Sequence, residues 1–144
     1  MNSLNDFYYA VLLSPDDEGG YVVTCRDLPE VITQGDTIEH ALSEARDALD
    51  ESFALRINDN LDFPAPTQLL MGEYLISPPV ETQIKALLYR AMREQKITKT
   101  ELAKRLQVNE KSVRRMFEPH CKVKIQGMSK ALEALGKQLV ISAI

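Results

Sequence analysis

The 144 residues carry a formal net charge of −4 and are 44 % hydrophobic, which allows one medium domain or two small ones. No apolar run approaches the roughly 18–20 residues needed to span a bilayer, and the N-terminal MNSLNDF lacks the basic-then-apolar pattern of a secretory leader. Cys25 and Cys121, far apart in the chain, read as reduced thiols of a cytoplasmic protein rather than as a disulfide framework.

The small net charge hides a polarity. From Met1 to Pro79, nine Asp and six Glu face three Arg and no Lys, a net −12. From Val80 to Ile144, nine Lys and five Arg face six Glu and no Asp, a net +8. A basic half suits a phosphate backbone, and an acidic half is repelled by it. The two halves are therefore expected to face different partners.

In chain order, Phe7–Leu13 and Tyr21–Cys25 are runs of aromatic and aliphatic residues of strand type. The turn formers of Ser14–Gly20 between them predict an antiparallel hairpin. A short third strand is expected around Val31–Gln34. From Thr37 to Ile57 the apolar period becomes helical, through Ile38, Ala41, Leu42, Ala45, Ala48, Leu49, Phe53 and Ile57. Asp36, with Glu39 three residues on, marks the helix entrance. Asn58–Thr67 reads as a loop, Glu73–Ser77 as a fourth strand, and Pro78-Pro79 as the boundary between domains 1–79 and 80–144. The expected class is α+β, a small β-β-β-α-β unit followed by an all-α one.

The second half opens with a scaffold helix carrying Ile84, Leu87, Leu88, Ala91 and Met92. Thr98–Pro119 then reads as two short helices joined by a tight turn, with Leu102, Ala103 and Leu106 on one face of the first and Val113, Met116 and Phe117 on one face of the second. Thr98 with Glu101 predicts a capping box, Asn109 caps the second helix, and Pro119 stops it. A last helix is expected over Gln126–Leu135, with Gly136 as its left-handed cap. The uncharged tail Gln138–Ile144 is strand-like. It pairs either with a second subunit or within its own domain.

The pattern from Ile84 to Leu135, with Glu101-Leu102-Ala103 in the first short helix, resembles the helix-turn-helix of phage-repressor (Xre) type. It departs at Gln107, where that family usually has glycine in a left-handed turn. The resemblance implies DNA binding through Asn109, Glu110, Lys111, Ser112, Arg114 and Arg115, with Lys99, Thr100, Lys104 and Arg105 as further contacts. Such helices present arginines to guanine edges and phosphates in the major groove, and two copies read an inverted repeat.

Chemistry of other kinds finds little support. Asp27, Glu30 and Asp36 are the nearest carboxylates for a metal-dependent nuclease, but Asp27 precedes Leu-Pro as a turn former and Asp36 stands at the helix entrance. His120-Cys121 offers two adjacent ligands without a second pair. Gly19-Gly20 fits a hairpin turn and no phosphate loop. Tyr8, Tyr9 and Tyr21 could stack on RNA bases, yet their acidic surroundings favour core or partner packing. A non-enzymatic protein with no metal and no cofactor is expected.

Gly19-Gly20-Tyr21-Val22-Val23, Asp27-Leu28-Pro29, Thr33-Gln34-Gly35-Asp36-Thr37 and the helical run Ala41-Leu42-Ala45-Ala48-Leu49 together resemble the HicB family of antitoxins over about Tyr8–Phe53. The resemblance implies a partial RNase H-like domain followed by a DNA-binding module, a HicA-type toxin as partner, and repression of the shared operon by a homodimer or dimer of dimers. That toxin class is a small basic ribonuclease acting on messenger RNA. Tyr9, Tyr21, Asp27, Glu30, Asp47, Asp50 and Glu51 are the candidates for toxin contact, through the sheet edge, the helix or both. The alternative is a ligand-responsive repressor without a toxin.

Overall fold

A computed structural model describes residues 6–143. Met1–Asn5, most of the segment read for a leader, and Ile144 lie outside the described residues. The class is α+β, and the chain divides into two compact units, Met1–Thr82 and Gln83–Ile144.

The first unit holds strands β1 (Tyr9–Pro15), β2 (Tyr21–Cys25), β3 (Ile32–Gly35) and β4 (Glu73–Ile76), with helix α1 (Ile38–Asn58) between β3 and β4. All pairings are antiparallel and the strand order is β3-β2-β1-β4. β1 begins two residues later than the sequence indicated and ends on Pro15, at the strand end, where an absent N–H is tolerated. The turn that follows is closed by Gly19 N–H to the Asp16 carbonyl at 3.0 Å, with both Gly19 and Gly20 at positive φ.

Register decides the core. Val11 opposite Cys25 and Tyr74, and Tyr9 opposite Ile76, put Tyr9, Val11, Val23, Cys25 and Ile76 on one face, and all five are buried. The apolar stripe of α1, Ala41, Ala45, Leu49, Phe53 and Ile57, is buried with them. Burial of side chains such as Leu49 and Phe53 contributes about 1.5–3 kcal/mol each. Phe53 is the hub, its ring centroid 5.6 Å from Phe7, 6.1 Å from Tyr9 and 4.5 Å from Phe63. Burial also pushes the Cys25 thiol above its ordinary value. The opposite face is largely open and carries Leu12, Ile32 and Leu75.

The cap of α1 differs from expectation. Thr37 accepts the His40 N–H through its hydroxyl at 3.0 Å, whereas Asp36 offers its own backbone N–H to His40 Nδ1. Thr37 has the extended backbone that an N-cap requires, one residue nearer the helix than Asp36.

The second unit is built on α2 (Val80–Gln95), α3 (Lys99–Leu106), α4 (Glu110–Arg115) and α5 (Ile125–Ala134). Its core contains Ile84, Leu88, Leu102, Val113, Phe117, Met128, Ala131 and Leu132. α4 ends well before Pro119, and Met116–Glu118 continue as turns bonded to Val113, Arg114 and Arg115. Residues 137–143 form no strand, in contrast to the strand-like pattern of the tail, and Val140 and Ile141 are exposed. No described helix is long and apolar enough to cross a membrane.

Gly35 carries the tightest approach in the first unit, because a Cβ there would overlap the backbone of Ala41 in α1. Gly35→Ala is expected to destabilise this unit by about 1–3 kcal/mol, read as a lower urea midpoint.

Candidate functional site

The outer face of α4 follows from its cap and its spacing. Asn109 Oδ1 accepts the Ser112 N–H at 2.8 Å and the Ser112 hydroxyl at 2.9 Å, which starts the helix with Val113 and then Phe117 directed inward. Lys111, Arg114 and Arg115, spaced i, i+3 and i+4, share the outward face and are exposed. Asn109 and Glu110 are exposed as well, while Ser112 is half-buried with its hydroxyl engaged by the cap.

α3 stands against α4 and brings Lys99, Thr100, Lys104 and Arg105 to the surface. Thr98 caps it by accepting the Glu101 N–H at 3.1 Å. The Glu101 carboxylate, expected to complete a capping box, is instead held by Arg105 at 3.2 Å. Arg105 also donates to the Ala134 carbonyl, so two protein partners restrain that guanidinium. The Lys99 ammonium sits 5.3 Å from the Phe117 ring centroid, a cation–π arrangement. Gln107 closes α3 in the left-handed region at φ 58°, ψ 43°.

Lys85 was not anticipated. It is buried between the core residues Ile84 and Ala86, and its ammonium donates to the carbonyls of Glu118 at 2.8 Å and Cys121 at 2.9 Å. These bonds satisfy the turn beyond α4 from the side of α2. The only sequence signal was a lysine inside an otherwise apolar run.

In the acidic unit the structure separates the candidate contact residues. Tyr9 is fully buried and its hydroxyl donates to the Pro64 carbonyl at 2.8 Å, which removes it from any contact surface. Asp27 accepts the Thr67 N–H at 2.9 Å and the Thr67 hydroxyl at 2.8 Å. Glu30 accepts from the Ser52 hydroxyl and from Nε and Nη2 of Arg56. These carboxylates hold the chain together internally. Tyr21 and Asp50 are half-buried, and Asp47 and Glu51 are exposed on α1.

Two arginines pin the long segment between α1 and β4. Arg56 donates to the Asp62 carbonyl at 2.7 Å while chelating Glu30. Arg26 reaches Thr67 Oγ1 at 3.0 Å, the Gln68 carbonyl at 2.8 Å and the Glu73 carboxylate. The Leu70 N–H is the larger cause that holds the Glu73 carboxyl below its ordinary value, with Arg26 adding to it. The sequence marks only its first part, Asn58–Thr67, as a loop, since nothing local shows where an arginine forty residues earlier will reach. Among the described residues no group of three or more His, Cys, Asp or Glu could hold a metal ion.

The chain is similar to known proteins over most of its length. The family described as HicB_like antitoxin of bacterial toxin-antitoxin system matches residues 8–87. A protein named Antitoxin HicB from Escherichia coli (strain K12) is 38% identical over 131 residues, which cover 91% of this chain and 95% of the relative. Antitoxin HicB 1 of Photorhabdus laumondii subsp. laumondii is 37% identical over 139 residues, 96% of this chain and 88% of that protein. A second protein from that organism, Antitoxin HicB 2, is 35% identical over 128 residues, 89% of this chain and 91% of its own.

Two outcomes are expected from these contacts. A left-handed non-glycine residue costs about 1–2 kcal/mol, so Gln107→Gly should raise the melting temperature of the helical unit in a calorimetric scan. For Glu30, the Arg56 hydrogen bonds outweigh burial and, with help from Ser52, lower the carboxyl from 4.5 to about 2. The folded state then binds this proton less readily than the unfolded one, so the stabilisation is complete above the unfolded value and is lost as pH falls toward 2. In urea titrations, Glu30→Gln should flatten the decline of stability with falling pH in that window.

Proposed function

Because this chain belongs to the HicB-like antitoxins of bacterial toxin–antitoxin systems, we propose that it neutralises a HicA-type ribonuclease toxin and represses its own operon. The single observation that carries this reading is the division of charge, −12 over residues 1–79 and +8 over residues 80–144. An acidic surface is attracted to an RNA-cutting enzyme whose own substrate site is basic, and long-range attraction speeds the encounter. Asp47, Asp50 and Glu51 on α1 and Tyr21 on β2 are the retained contact candidates; Tyr9 is not, and Asp27 and Glu30 act by holding the unit's shape.

The basic unit, on this reading, is a helix-turn-helix of α3 and α4. Lys111, Arg114 and Arg115 face bases and phosphates, Asn109, Glu110 and Ser112 start the recognition helix, and Lys99, Thr100, Lys104 and Arg105 lie along the flanking backbone. A homodimer, or a dimer of dimers, places two such helices about 34 Å apart on an inverted repeat. One chain that joins a toxin-binding unit to a repressor unit couples transcription to the amount of toxin present. The setting is cytoplasmic, no cofactor takes part, and no catalytic step is required. A ligand-responsive repressor without a toxin is not favoured, since the relatives that span most of the chain carry antitoxin names.

The reading is tested by co-expression with the neighbouring gene and by operator titration. The full chain should copurify with a small basic protein and protect cells from it. If it neither copurifies nor protects, the antitoxin assignment fails at the level of this toxin. Arg114→Ala or Arg115→Ala should weaken operator binding by about 1–3 kcal/mol if that side chain reads a guanine. Unchanged affinity of both variants at fixed salt would remove α4 from the groove.

A further inference from the structure

The segment before β4 presents its largest apolar side chains to solvent. Met71 is fully exposed, Leu70 is 56% exposed and Leu69 46%. A flexible loop could fold such residues inward. This one is tied on both sides: Arg26 holds Thr67 and Gln68, Asp27 holds Thr67 again, and the Glu73 carboxylate takes the Leu70 N–H at 2.8 Å. Glu73 N–H in turn reaches the Leu70 carbonyl at 3.1 Å, and Gly72 turns the chain at φ 85°. Three apolar side chains are thus displayed at the tip of a braced turn.

The turn leads directly into β4, an edge strand of the sheet. Leu75 on β4 is 41% exposed, and Leu12 of the adjacent β1 shares its open face at 43%. An edge strand beside a rigid apolar tip combines two features of protein recognition, main-chain pairing and a hydrophobic anchor whose ordering entropy is already met.

Charge selects the occupant. The half of the chain that carries this tip has a net −12, so a second copy of the same unit, a nucleic acid and an anionic membrane would all be repelled. A basic protein is attracted. We propose that the Leu69–Met71 tip with the outer edge of β4 is the docking anchor for the basic toxin partner, the apolar tip setting how long the complex lasts and the acidic face of α1 how fast it forms. This rests on the antitoxin reading above and adds the surface to it.

The experiment compares the full chain with its Leu69→Ser/Leu70→Ser/Met71→Ser variant for binding to the small basic protein encoded beside it, supplied in catalytically silent form. The variant should keep its circular dichroism and its operator affinity, and bind the basic protein about thirtyfold or more weakly, mainly through faster dissociation. Asp47→Asn/Glu51→Gln should instead slow association and reduce its salt dependence. Should the triple variant fold poorly, Met71→Ser alone carries the test, with amide exchange protection of residues 69–76 in the wild-type complex as its second readout. Wild-type binding by the serine variants, without protection of 69–76, overturns the anchor and leaves the antitoxin reading standing. If the wild-type chain fails to bind, that reading falls and the anchor with it. Loss of self-association by the triple variant, with binding to the basic protein intact, assigns the tip to a second copy and overturns the proposal.

Discussion

Three arginines stand among the first 79 residues, and two of them are the ties on which the acidic unit depends. Arg56 joins Glu30 on the β2–β3 connection to α1 and to the Asp62 carbonyl, and Arg26 joins the end of β2 to Thr67, Gln68 and Glu73. These bonds tie the stretch between α1 and β4 to the rest of the unit, beside the Tyr9–Pro64 and Asp27–Thr67 hydrogen bonds and the packing of Phe63 on Phe53. Exposed ion pairs of this kind are individually weak. Their effect here comes from geometry, since each guanidinium also satisfies backbone carbonyls that would otherwise compete for water.

That use of arginine has an electrostatic consequence. Two of the internal ties answer Glu30 and Glu73 with positive charge, and Asp27 meets a neutral threonine. The carboxylates on the outer side of α1, among them Asp47 and Glu51, remain exposed. In the helical unit the distribution is reversed. Glu101 is answered by Arg105, whereas Lys111, Arg114 and Arg115 stand exposed around a helix whose inner side is Val113 and Phe117. Each unit therefore presents a single dominant sign of charge on the elements proposed for recognition, and each holds its shape by apolar packing together with a few long polar side chains.

Lys85 illustrates the second part of that statement. A buried ammonium is costly unless it is hydrogen-bonded, and two carbonyls beyond α4 accept from it. The turn that ends the proposed recognition helix is thereby set by a residue of α2 rather than by Pro119. The helix stops at Arg115, four residues before that proline.

Much of the architecture was legible in local pattern. Aromatic and aliphatic runs bounded by turn formers located the strands, the period of 3.6 located α1 to α5, and small polar side chains marked Thr98 and Asn109 as caps, because each of these signals is carried by residues close enough in sequence to act on one another. The sign of charge along the chain was likewise a property of composition. What only the tertiary structure decided was which side chains remain available. Tyr9 went to the core because register with Ile76 turned it toward α1. Asp27 and Glu30 became internal acceptors because Thr67 and Arg56 were brought to them, and Leu69, Leu70 and Met71 stayed outside because Arg26 and Glu73 hold their backbone. Availability depends largely on partners far away in the sequence, and no local periodicity encodes where those partners will stand.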